Sequence, residues 1–146
     1  MKLFRKDSSY AVRTLVYIAQ QNQSEPISST RVSQELGIPR NFLRRIYSLL
    51  IQAKILKATE GARGGVKLAK APEKISVWEI IHALQGDIRV CDTNHSKEPC
   101  KDSNTCLMRK KIIGIEKLIV NEFRKITIQT LIEDSGSKPY QKHFGK

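Results

Sequence analysis

The chain has 146 residues, with 26 Lys and Arg against 14 Asp and Glu, a formal charge of +12 and 40% hydrophobic side chains. That length suits one domain with a peripheral element and excludes two large domains, and the charge makes a polyanion the first partner to consider. No apolar run approaches the roughly 18 to 20 residues of a membrane span, and Met1-Lys2-Leu3-Phe4-Arg5-Lys6-Asp7 has no secretory core, so a cytoplasmic protein without a membrane partner is expected.

The first predicted element is a helix from about Ser8 to Gln21, with Tyr10, Val12, Leu15, Val16, Ile18 and Ala19 on one face. A polar break follows. Ser28 or Ser29 can cap a second helix that turns Val32 and Leu36 inward and stops at Gly37. Pro39 suits the first turn of a third helix, in which Phe42, Leu43, Ile46, Leu49 and Leu50 recur at steps of three and four. Ser33 lies four positions before Gly37 and Leu43 six after it. Small, glycine and apolar residues at these offsets relieve crowding where two helices cross, as in a helix-turn-helix.

Two short strands come next, Ile55 to Thr59 and Val66 to Ala69, around the tip Glu60-Gly61-Ala62-Arg63-Gly64-Gly65, which gives the hairpin the character of a wing. Pro72 ends the hairpin, and Ser76 caps a short helix whose Trp78 is expected in the core and whose His82 is expected to be an ordinary packed or half-exposed histidine. From about Thr105 to Glu133 the chain has no proline and one glycine. Apolar residues at Met108, Ile112, Ile115, Ile119, Phe123, Ile126 and Leu131 predict one helix of about 28 residues, roughly 40 Å long. A small winged domain cannot cover such a helix, and the simplest cover is the same helix of a second subunit.

The expected organisation is therefore a winged helix-turn-helix over 1–84, a cysteine-bearing loop over 85–106, a dimerisation helix over 107–134 and a mobile tail over 135–146. The fold class is mainly α with a small β-hairpin.

Charge locates the polyanion: residues 1–75 hold 14 basic and 5 acidic side chains. The third helix offers Arg40, Asn41, Arg44 and Arg45 near its amino end, the end that a recognition helix presents to base edges in the major groove. With Arg31, with Arg63, Gly64 and Gly65 of the wing tip, and with Lys67, they form the expected interface with double-stranded operator DNA. The glycines would let the backbone approach phosphates closely, and Arg63 carries the charge that a minor groove attracts.

All three cysteines fall between 91 and 106 in the spacing Cys-x8-Cys-x5-Cys. An odd number in a reducing compartment argues against a disulfide framework. Thiolates on a polar loop suit an iron–sulfur cluster, with Cys91, Cys100 and Cys106 as ligands. Zinc binding, with His95 as a fourth ligand, and free or redox-paired thiols are the alternatives. An enzyme is not expected, since there is no Cys-x-x-Cys pair, no phosphate-binding glycine loop and no Cys/His/acid group beyond the local His95. An RNA-binding module would need stacking aromatics, and the two in the basic region, Phe42 and Tyr47, suit the core.

Several stretches together resemble the Rrf-type family of bacterial transcription regulators, the IscR/NsrR/RirA-like proteins. They are Met1-Lys2-Leu3 with Tyr10-Ala11-Val12-Arg13, Leu36-Gly37-Ile38, Arg63-Gly64-Gly65-Val66-Lys67-Leu68, Ile75-Ser76-Val77-Trp78-Glu79-Ile80-Ile81 and the cysteine trio. The resemblance implies a homodimeric regulator, expected to be a repressor, whose 2Fe–2S or 4Fe–4S cluster, one per subunit, controls operator affinity. This chain departs from the family in two places. Where the family often has Tyr-Leu-Glu-Gln after the turn, Phe42-Leu43-Arg44-Arg45 stands here. At the fourth ligand, which varies within the family, Ser9 stands where some members have an acidic residue and Arg109 where others have a histidine, so that ligand is left open among Asp7, Asp92, His95, Glu98 and a small molecule.

Overall fold

Eight consecutive residues of the first helix, Ala11 to Ile18, are buried, so this element is enclosed on every side rather than on the single face that its periodicity predicts. In a computed structural model, which describes residues 3–21, 25–90 and 107–136, it is α1 (Lys6–Gln20). After it come α2 (Ser29–Leu36), α3 (Arg40–Gln52), β1 (Leu56–Thr59), β2 (Gly65–Leu68), a 3-10 turn at Pro72–Lys74, α4 (Val77–Gln85), α5 (Leu107–Lys125) and α6 (Ile128–Asp134). The fold is mainly helical with a two-stranded antiparallel hairpin: a winged helix-turn-helix.

The helix-turn-helix is set by local chemistry. Ser28 caps α2, its Oγ accepting from the Arg31 N–H at 3.3 Å, and Gly37 ends the helix at φ 64°, a left-handed conformation that suits glycine. Ser33 Oγ donates to the Ile38 carbonyl at 2.8 Å, so the small residue before the turn also ties the turn down. From α1, the Arg13 guanidinium donates to the Leu36 carbonyl at 3.4 Å, placing a buried cation at the negative end of α2. Leu43, Ile46, Tyr47 and Leu50 then turn one face of α3 into the core formed with α1, Ile27, Ile38 and the hairpin.

The hairpin pairs Leu56 with Leu68, Lys57 with Lys67, Ala58 with Val66 and Thr59 with Gly65. Ile27, ahead of α2, adds a bridge to Val66: its N–H donates to the Val66 carbonyl at 2.9 Å and its carbonyl accepts from the Val66 N–H at 3.0 Å. The wing is thus hydrogen-bonded to the chain that enters the helix-turn-helix. A Cβ on Gly65 would collide with the Ile27 carbonyl, and one on Gly64 would lie 2.6 Å from the Thr59 carbonyl oxygen. Both glycines are required by packing within the wing.

Ser76 and Glu79 form a reciprocal capping box on α4, with Glu79 N–H donating to Ser76 Oγ at 3.2 Å and Ser76 N–H to Glu79 Oε2 at 3.0 Å. Burial pulls the Glu79 carboxyl up, but the Lys70 ammonium and the Ser76 donors outweigh it and hold the group below the ordinary carboxylate range.

The carboxy-terminal region departs from expectation. The single helix predicted from Thr105 to Glu133 is two helices, broken at Ile126 and Thr127. There the backbone extends alongside residues 75–77: Val77 N–H donates to the Ile126 carbonyl at 2.8 Å and Ile128 N–H to the Ile75 carbonyl at 2.9 Å. Thr127 caps α6 by accepting from the Thr130 N–H at 3.1 Å, and Ile128 is fully buried in the main core. Three β-branched residues in a row, Ile126-Thr127-Ile128, favour this extended step and outweigh helical periodicity. The last helix therefore packs against α1 and the 3-10 turn as part of the winged domain, and the element outside it shortens to α5, which rests on α4.

Candidate nucleic-acid interface

Of the expected contact residues, Arg40, Asn41, Arg44 and Arg45 are all exposed, on the face of α3 opposite Leu43, Ile46 and Leu50. Their surroundings differ. Arg40 donates to Thr30 Oγ1 of α2. Arg45 Nη1 lies 4.0 Å from Asp7 Oδ2 of α1, and Asn41 Oδ1 accepts from the Phe42 N–H at 3.0 Å. Arg31, exposed in the first turn of α2, donates to Gln21 Oε1 at 3.3 Å. Arg44 makes no hydrogen bond or ion pair with the described residues. Arg63 is exposed at the wing tip, and Lys67 is half-buried on β2.

The structure adds two cations to this set. Lys57 stands directly opposite Lys67 across the hairpin, on the face away from Leu56 and Leu68. Like charges in facing positions repel, and an anion between them relieves that cost. Strand alternation in Leu56-Lys57 and Lys67-Leu68 held that signal. Lys6, at the amino end of α1, sits 5.4 Å from the Tyr10 ring centroid and 5.8 Å from that of Phe42, which meet edge to face, so α1 brings its own cation beside the first turn of α3. Only folding reveals that neighbour.

Cys91, Cys100 and Cys106 lie outside the described residues, as do 137–146 of the tail. The flanks of the cysteine segment are described: Val90 N–H donates to Glu116 Oε1 of α5 at 2.7 Å, and Ile88 is buried with Val77 and Ile81 against Ile119 and Phe123. Trp78 is partly buried at this junction with the Arg124 guanidinium 5.9 Å from its ring centroid, and His82 is half-exposed, 3.1 Å from Asp87. Among the described residues no group of three or more His, Cys, Asp or Glu could hold a metal, and no helix is long and apolar enough to cross a membrane.

Comparison with known proteins fits this geometry. A family profile described as Rrf2, iron-dependent transcriptional regulator, matches residues 4–134. Protein rrf2 of Nitratidesulfovibrio vulgaris is 27% identical over 139 residues, covering 95% of this chain and 92% of the relative. Among solved structures, CymR, the global cysteine regulator of B. subtilis, superposes with a TM-score of 0.71 at 22% identity, covering 92% of this chain and 98% of that one. IscR of T. potens does so with a TM-score of 0.70 at 22% identity, covering 97% and 92%. A family match over nearly the whole chain, on a basic winged helix-turn-helix, means that the protein belongs to the Rrf2 family and is a DNA-binding transcriptional regulator, not an enzyme.

Proposed function

We propose that the protein acts in the cytoplasm as a homodimeric repressor whose operator affinity is set by an iron–sulfur cluster on Cys91, Cys100 and Cys106. The observation that carries this reading is the state of α5. It buries no residue fully, and its first twelve residues leave Leu107, Met108, Ile113, Ile115 and Leu118 exposed, Leu107 at 76% and Leu118 at 64%. Leu107, Met108, Ile115 and Leu118 share one side of the helix, an apolar strip about 17 Å long that calls for a second protein surface, and a twin helix matches it in chemistry.

The same helix accepts the hydrogen bond from Val90, the residue immediately before Cys91, and begins immediately after Cys106. The segment that would hold the cluster is thus fastened at both ends to the proposed dimer helix. Three thiolates are a donor set suited to a cluster, and when bound it supplies a labile iron centre that answers to iron supply, nitric oxide or oxidants. Val90 and Glu116 would pass a change in that segment to α5, and rotation there would alter the spacing of two recognition helices, which must meet half-sites about 34 Å apart or a multiple of that. The DNA-contacting set is Arg31, Arg40, Asn41, Arg44, Arg45, Arg63, Gly64, Gly65 and Lys67, with Lys6 and Lys57 added. With about six phosphate contacts per dimer, log K should fall against log salt with a slope of roughly −5.

Purification without oxygen, with an ultraviolet–visible spectrum and iron and sulfide quantitation, tests the cofactor. A coloured protein holding iron and sulfide, bleached in Cys100→Ala, supports the assignment; a colourless, iron-free protein removes it. Sedimentation tests the dimer separately, and a monomer at micromolar concentration would overturn that part alone.

A further inference from the structure

The exposed side chains of α3 are of two kinds. Arg40 is held against α2 by Thr30, and Arg45 stands 4.0 Å from Asp7 on the α1 side. Between these flanks Asn41, Arg44 and Ser48, spaced i, i+3 and i+7, form one exposed stripe. Arg44 is free of any partner among the described residues. Asn41 Oδ1 accepts from the Phe42 N–H, and the side chain keeps a second acceptor position on that oxygen and its NH2 group for outside partners.

We propose that Arg44 is the guanine-reading residue of α3, selecting a guanine in each half-site. Guanine offers two acceptors, N7 and O6, on its major-groove edge, and they match the planar fork of a guanidinium. Cytosine offers a donor at N4, which the guanidinium cannot accept. Arg40 and Arg45, held to either side by α2 and α1, contact backbone phosphates and fix the register of the stripe. The inference rests on DNA binding by α3 and is independent of the cluster.

The test is selection from a randomised duplex library with the wild type, Arg44→Lys, Arg44→Ala and Arg40→Ala, with iron measured on each preparation. The wild type should enrich a guanine at one fixed position of each half-site, and replacing that guanine should weaken binding about 5- to 150-fold. Arg44→Lys keeps the charge and loses the fork. It should keep a weaker guanine preference at that position, since an ammonium still donates to N7 or O6 but without the paired geometry. Arg44→Ala should lose the preference altogether. Arg40→Ala should weaken all sequences alike and make the salt dependence shallower. An unchanged base profile in Arg44→Ala, or no enriched sequence for the wild type, would each overturn the proposal. A preparation that lacks iron and still selects the guanine counts against the cluster alone.

Discussion

Helices α3 and α5 are both amphipathic, yet they serve opposite ends. In α3 the apolar face is consumed by its own chain, with Leu43, Ile46 and Leu50 buried, and the outward face carries three arginines and an asparagine. In α5 the inner residues Ile119 and Phe123 pack against the cluster of Val77, Ile81 and Ile88, and large aliphatic side chains remain on the outside. The same period of hydrophobicity thus marks a finished surface in one helix and an unfinished one in the other. What separates them is the chemistry of the second face: cations there ask for a polyanion, aliphatics for another protein.

Substitutions can break or sharpen that contrast. Leu43→Ala empties a fully buried site and should cost about 2–5 kcal/mol in urea unfolding; a loss below about 1 kcal/mol would mean that α3 is not seated as described. Gly65→Ala forces a methyl group onto the Ile27 backbone and should cost about 1–3 kcal/mol, with the loss largest where the wing meets the α2 entry, as amide exchange would show. Glu79→Gln probes the capping box. Because the folded carboxyl lies below its ordinary value near 4.5, its contribution is present above that pH and is lost as pH falls through the depressed value. The variant should therefore be slightly less stable at pH 7 and show a flatter acid limb; identical limbs would dismiss the interaction with Lys70. Leu118→Ala should have the smallest effect on folding, within about 0.5 kcal/mol at concentrations where the chain is monomeric, while lowering the dimer fraction in sedimentation. A cost like that of Leu43→Ala would show that α5 is already packed.

Much of this architecture was legible in the sequence because it depends on local rules. Ser28, Gly37, Ser76 and the apolar spacing of α3 each act within a few residues, and they form the cap, stop, box and face that their types predict. The helix break at Thr127 was not legible from periodicity, since it depends on backbone pairing with Ile75 and Val77 some fifty residues away, although the run of β-branched residues was a local hint. For the interface, the charge pattern pointed to α3 and the wing. It could not separate the arginines that lean on α1 and α2 from Arg44, because that distinction is made by Thr30 and Asp7 across the fold. Lys6 was missed for the same reason, while Lys57 could have been found by pairing the two strands on paper.

The bridge between Ile27 and Val66 carries a practical consequence for anyone building chimaeric regulators. A wing transplanted from a relative would arrive without its docking rail unless the stretch ahead of α2 travelled with it, and the donor hairpin would need a residue without a side chain where Gly65 lies against that rail. The transplantable unit thus runs from before Ile27 to Leu68, carrying the helix-turn-helix inside it.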